Sequence, residues 1–106
     1  MAMLARPWEP LDLANGESVE FRVLRWEVGE MEVRPRAAPA GKVIEAVRMW
    51  TPPEDKPAGA PYWDATAGNL VARLKPMLEE LVASGRRIKV TKEGEPPAAR
   101  HRVDFL

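Results

Sequence analysis

The chain has no cysteine and no glutamine, and only one histidine, His101, in 106 residues. The first absence excludes disulfides, thiolate metal sites and a thiol nucleophile. With one histidine, a metal centre would need a carboxylate cluster, and the acidic residues show no such spacing, so no metal or cofactor is expected. Serine occurs only at Ser18 and Ser84, and neither sits in a nucleophile-elbow setting. Glycines are dispersed, so no phosphate-cradling loop is present. No carboxylate pair stands in an apolar setting that would tune one of them for acid–base work. These absences point to a non-enzyme with no catalytic residue. No apolar run approaches a membrane span, and the start Met1–Pro7 does not follow a signal-peptide pattern, so the expectation is a cytoplasmic protein without membrane contact.

What is abundant is proline, arginine and tryptophan. Scarce amide residues with many charges and loop prolines match the profile of thermophilic proteins, although GC-rich coding would favour a similar composition. The length suits a single domain that folds without staples. Formal net charge is zero, yet its distribution is uneven. From Arg86 onward the cations Arg86, Arg87, Lys89, Lys92, Arg100 and Arg102 outnumber the acids Glu93, Glu95 and Asp104.

Residues 1–16, with Pro7, Pro10 and Asn15-Gly16, read as an extended arm leading into a domain over 17–106, with Trp8 and Leu11 able to pack down on it. Glu17–Val28 has the strongest strand pattern. Val19, Phe21 and Val23 alternate with polar residues, then the phase slips by one to Leu24, Trp26 and Val28. Such a parity change predicts a bulge or bend near Val23-Leu24. A turn is expected at Gly29-Glu30, followed by a short strand with Met31 and Val33, a loop over 34–41, and a third strand over Lys42–Trp50. Thr51–Pro61 is a proline-rich excursion, read as a stiffened loop, with Tyr62 and Trp63 at its end.

One amphipathic helix is predicted near 67–84, with Asp64 or Thr66 as N-cap and Gly85 as left-handed stop. Its apolar face holds Leu70, Leu74, Met77, Leu78 and Leu81, widened by Val71 and Val82, which would mark a homodimer contact if exposed. Pro76 removes a backbone donor, which predicts a kink or two shorter helical pieces. Strands over Arg86–Lys92 and Arg100–Leu106 should form a hairpin across the turn 93–99.

The chain is thus mainly β with one helix, in the order β-β-β-α-β-β. This layout resembles the five-stranded OB-like barrel. The segment from the helix to the end is similar to the C-terminal part of small OB-fold-like single-stranded nucleic-acid-binding proteins of phages, viruses and prokaryotes. Ile88, Val90, Thr91, Lys92 and Gly94 occupy the places of that pattern's basic strand, while His101 stands where an aromatic residue is expected. The resemblance implies a single-stranded nucleic acid as partner, DNA rather than RNA.

The residues suggest how a strand would be held. On the outer face of the last hairpin, Arg87, Lys89, Arg100 and Arg102, with Lys92 nearby, would meet phosphates through counterion release. Trp26, Trp50, Tyr62 and Trp63 would stack on bases. The competing reading makes the cations a solvated face and the tryptophans core. A different class of function, a protein–protein assembly module such as a viral or mobile-element accessory protein, is suggested by the zero net charge, which weakens attraction to polyanions.

Overall fold

A computed structural model describes residues 2–33, 41–95 and 98–106. Among these residues are six strands: β1 (Ser18–Arg22), β2 (Arg25–Val33), β3 (Lys42–Trp50), β4 (Tyr62–Ala65), β5 (Arg87–Glu93) and β6 (Arg100–Phe105). They form two separate three-stranded antiparallel sheets, ordered β1-β5-β6 and β2-β3-β4. The five-stranded OB-like barrel is therefore not what the chain builds, since among the described residues no strand is shared between the sheets and no barrel closes. The break falls at the parity slip. Val23 and Leu24 lie between β1 and β2, and the expected single bent strand becomes two strands in different sheets.

Two further expectations change. No turn forms at Gly29-Glu30, because β2 runs straight through them, paired to β3 from Arg25–Trp50 to Val33–Lys42. Tyr62 and Trp63 open a fourth strand, β4, which pairs Tyr62 with Trp50 and Ala65 with Val47. The loop expected over 34–41 lies, apart from Gly41, outside the described residues, as do Pro96 and Pro97 of the 93–99 turn. The β5–β6 hairpin forms in the register Ile88–Phe105 to Glu93–Arg100.

The helix lies between β4 and β5 and is interrupted where Pro76 stands. Helix α1 (Gly68–Leu74) passes through a 3₁₀ turn (Lys75–Met77) into α2 (Leu78–Ser84). A proline has no N–H for the carbonyl four residues back, so the tighter turn replaces that bond. Gly85 stops α2 at φ 65°, a left-handed conformation glycine adopts without steric cost. Neither Asp64 nor Thr66 caps α1. Ala67 holds that position without a side-chain bond, because Asp64 is committed inside β4. Among the described residues no helix is long and apolar enough to cross a membrane.

One main core joins the two sheets and the helix. Phe21, Val23, Ile88 and Val90 of the first sheet, Val47, Met49 and Ala65 of the second, and Leu70, Val71, Leu74, Leu78 and Leu81 of the helix are all buried together. Truncating any of the leucines to alanine should cost about 2–5 kcal/mol. Val71 is buried and Val82 partly exposed, so the pair does not present a joint apolar patch.

The N-terminal arm is fastened down at both sides of the second sheet. Ala2 and Leu4 bond to Glu30 on the free edge of β2. Glu9 and Leu11 bond to Asp64 on the free edge of β4. Between them the chain crosses the sheet face, where Leu4 packs with Met31, Ala46 and Trp8 in a small second core. Both sheet edges are thus covered by the protein's own backbone, which removes them as templates for another strand. Gly29 makes the crossing possible, since a Cβ there would lie 2.8 Å from both the Ala2 carbonyl and Leu4.

Candidate functional site

The cations of the last hairpin do not form a bare stripe. Strand register places Lys89 between Glu20 of β1 and Asp104 of β6. Arg102 is bound to Asp104 at 2.9 Å and to Glu93 at 2.8 Å. The hydrogen bond that Arg102 donates to Asp104, then the charges of Asp104 and Glu93, raise the Arg102 pKa above its ordinary value. The middle of the face is therefore neutralised by its own acids, as the antiparallel pairing of opposite charges favours. Lys92 falls on the face shared with Ile88 and Val90, beside His101. Arg100 lies at the far end, where it borders a groove of about 380 Å³ with Asn69 and Arg73. Arg87 is about 20 Å away along the strand, at roughly 3.3 Å per residue.

The aromatic set is likewise divided. Tyr62 is buried, its hydroxyl donating to the Pro7 carbonyl and its ring covered at 4.0 Å by the Arg48 guanidinium. Trp63 packs against the main core, with Lys56 Nζ 4.6 Å from its ring, and among the described residues its Nε1 has no hydrogen-bond partner. Trp26 and Trp50 remain. They sit near the β1–β2 break, on opposite faces of the sheet rim. Trp50 touches Tyr62 at 5.4 Å between ring centres and carries the Arg25 guanidinium at 3.9 Å. Trp26 is 38% exposed and Leu24 44%.

That break is the feature the residues themselves assemble. β1 ends at Arg22 and β2 begins at Arg25, so a two-residue step projects arginines to both sides. Pairing sets Arg22 directly opposite Arg87. Like charges so placed repel, and the proline-rich loop supplies the counter-charge. The Asp55 carboxylate, nearly fully buried, accepts from the Arg22 backbone N–H at 3.1 Å and from the Arg87 guanidinium. The side chain of Arg22 has no ion-pair partner among the described residues. Leu24 donates its N–H to the Trp50 carbonyl at 2.8 Å, which holds the corner to β3. Arg22, Arg25, Arg87, Leu24, Trp26 and Trp50 thus surround one corner of the molecule. Of the sequence-predicted set, Arg87, Trp26 and Trp50 meet here. Arg22, Leu24 and Arg25 were missed, although the parity slip that exposes them is visible in the sequence.

A second polar cluster is buried and structural. Arg48 (3% exposed) donates from Nε to Asp64 Oδ1 at 2.8 Å and from Nη2 to Asp64 Oδ2 at 3.1 Å, and Asp64 is fully buried. Burial alone would lower the Arg48 pKa, but the bond and charge of Asp64 outweigh it and the value is raised. Arg48 Nη2 also reaches the Pro7 carbonyl, and Asp64 accepts the Glu9 N–H at 2.8 Å. The pair therefore clasps the N-terminal arm. Its sequence signal was an arginine set between the apolar Ala46-Val47 and Met49-Trp50 of β3. The loop is clasped too: Glu9 accepts from Lys56 and from the Ala60 N–H, which lowers its pKa, the Ala60 bond being the larger cause.

His101 is buried beside Asn69, its Nδ1 2.6 Å from Asn69 Oδ1. Because the Asn69 amide already donates to the Ala99 carbonyl, the histidine is the donor in this contact. Burial, and then the charge of Lys92, lower its pKa. No group of three or more potential metal-ligating side chains occurs among the described residues. No family model, curated protein or solved structure matches the chain.

Proposed function

We propose that the protein is a non-catalytic binding module for single-stranded nucleic acid, DNA in preference to RNA, and that the strand is held at the β1–β2 corner. The observation that carries the reading is the gathering of three arginines with the exposed Trp26 and the half-buried Trp50 around one strand break, where the Asp55 carboxylate is held by Arg87. Arg22, Arg25 and Arg87 take phosphates. Trp26 offers an open ring for stacking, and Trp50 offers one when the Arg25 guanidinium shifts onto a phosphate. Arg102, toward the other end of the hairpin, is left out of the contact because two acids, Glu93 and Asp104, already hold it, whereas Arg87 meets one.

The test is titration with labelled single-stranded oligonucleotides at several salt concentrations, following tryptophan fluorescence. Three phosphate contacts give a slope of log affinity against log salt of about −2, at roughly −0.7 per contact on a single strand. Replacing Arg22 and Arg25 together by alanine should reduce the slope to about −0.7. Trp26→Ala should weaken binding by about 1–3 kcal/mol, the usual worth of one stacked base. Arg102→Ala, at the neutralised face, should change little. Binding that ignores salt, or that fails in Arg102→Ala and survives in the corner variants, would refute the assignment.

A further inference from the structure

Among the described residues three of the four outer sheet edges meet a partner from elsewhere in the chain: β2 and β4 are bonded by the backbone of the arm, and β1 by the Asp55 carboxylate at the Arg22 N–H. The edge strand β6 is the exception. The Leu106 N–H bonds to the Arg87 carbonyl, in the same register as the rest of the β5–β6 ladder. In an antiparallel pair the bonded positions alternate. Residues 100, 102, 104 and 106 therefore turn their backbone groups toward β5, and His101, Val103 and Phe105 turn theirs outward. Among the described residues no hydrogen bond reaches those outward N–H and C=O groups. Helix α1 meets this strand through the Asn69 side chain, on the His101 ring and the Ala99 carbonyl.

We propose that the partner of this edge is a second copy of the chain, joined β6 to β6 antiparallel about a two-fold axis at Val103. Only backbone positions that point outward can pair, so neighbouring registers differ by steps that charge can distinguish. Centring on Asp104 places that carboxylate opposite itself. Centring on Arg102 does the same for the guanidinium. Centring on Val103 places Arg102 opposite Asp104 of the second copy, twice by symmetry, on the outer face at a non-hydrogen-bonded pair where side chains approach closest. In that register Val103 bonds reciprocally to its equivalent, and His101 bonds to Phe105 of the second copy in both directions. The two sheets become one of six strands in the order β1-β5-β6-β6-β5-β1. An interface of this kind is isologous, the commonest symmetry of soluble oligomers.

The experiment is sedimentation equilibrium of the full chain without nucleic acid, over a wide concentration range. The expected result is a monomer–dimer equilibrium. Val103→Pro removes an N–H that the β5 ladder does not use, and should abolish the dimer while circular dichroism stays that of the folded protein. Asp104→Lys puts like charges opposite each other at both symmetric positions and should raise the dimer dissociation constant at least about tenfold. Combining it with Arg102→Glu restores opposite charges and should restore the dimer. This last pair of variants keeps the inference testable if the proline variant does not fold. A chain that is monomeric throughout the range overturns the proposal, and so does a dimer that Asp104→Lys leaves unchanged or that the double exchange fails to restore. Failure here leaves the nucleic-acid reading standing, because the corner residues are not in this contact.

Discussion

Removing either partner of the buried Arg48–Asp64 pair should be among the most damaging single changes available in this protein. Arg48 gives Asp64 two hydrogen bonds, and Asp64 takes a third from the Glu9 backbone. With both side chains almost entirely out of solvent, Asp64→Ala leaves a buried guanidinium with the Tyr62 and Trp50 rings and a long bond to the Pro7 carbonyl, and no carboxylate bonded to it. Breaking one side of a buried pair typically costs about 3–5 kcal/mol. For a domain of this length, with total stability of about 5–15 kcal/mol, that is a third or more of the whole in most of the range. The assay is urea denaturation followed by tryptophan fluorescence, for Asp64→Ala, Arg48→Met and the double variant. Charge burial makes the double variant less damaging than the sum of the singles, by at least about 2 kcal/mol, because no unpaired charge remains. The arm should also loosen, seen as faster hydrogen exchange at the Leu4 and Leu11 amides. Single-variant losses below about 1 kcal/mol, or strict additivity, would refute the account of the pair as the clasp of the arm.

Three further outcomes follow from the same geometry. The His101 pKa is lowered in the folded state, so the unfolded chain binds more protons. Its contribution is full above the ordinary value of 6.5 and is lost as pH falls below it. Urea midpoints should drop between about pH 7 and about pH 5.5 and drop less in His101→Gln, whereas a wild-type midpoint that rises over this interval would contradict the reading. Gly29→Ala should cost about 1–3 kcal/mol in the same assay, since its Cβ meets backbone and Leu4 at 2.8 Å, and amide exchange of the first arm residues should rise with it. Gly85→Ala, at φ 65°, should cost about 1–2 kcal/mol without changing the arm.

Periodicity carried much of the fold. The apolar spacing of Leu70, Leu74, Leu78 and Leu81 marked the helix, Pro76 marked its interruption and Gly85 its end, because these are local effects of side-chain spacing and backbone chemistry. The alternation of β1, β5 and β6 was equally readable. The step at Val23-Leu24 was read as a bend, but whether a bent strand stays in one sheet depends on which distant strands pair with each half. β4 was missed because four residues after a proline-rich loop are too few to show a period. Gly29 was misread as a turn, since nothing local reveals that the arm crosses it.

The site was legible in part for the same reason. The tryptophans and the hairpin cations could be named from the sequence, but not their surroundings. Arg102 meets Asp104 two residues on, and that contact was foreseeable. Glu20 beside Lys89, Asp55 beneath Arg87 and Asp64 against Arg48 were not, because each joins segments whose separation in sequence carries no pattern.

The sequence by itself determined that the chain is cysteine-free, mainly β, shifted in strand phase at Val23-Leu24, interrupted in its helix at Pro76, and basic toward its end. These follow from composition and from periods of two and 3.6 residues, which the covalent chain imposes. Only the tertiary structure decided that the strands divide into two sheets, that the arm covers both edges of one of them, and which arginines keep their charge free. Those outcomes rest on long-range pairing, where a residue's electrostatic environment is set by neighbours tens of positions away.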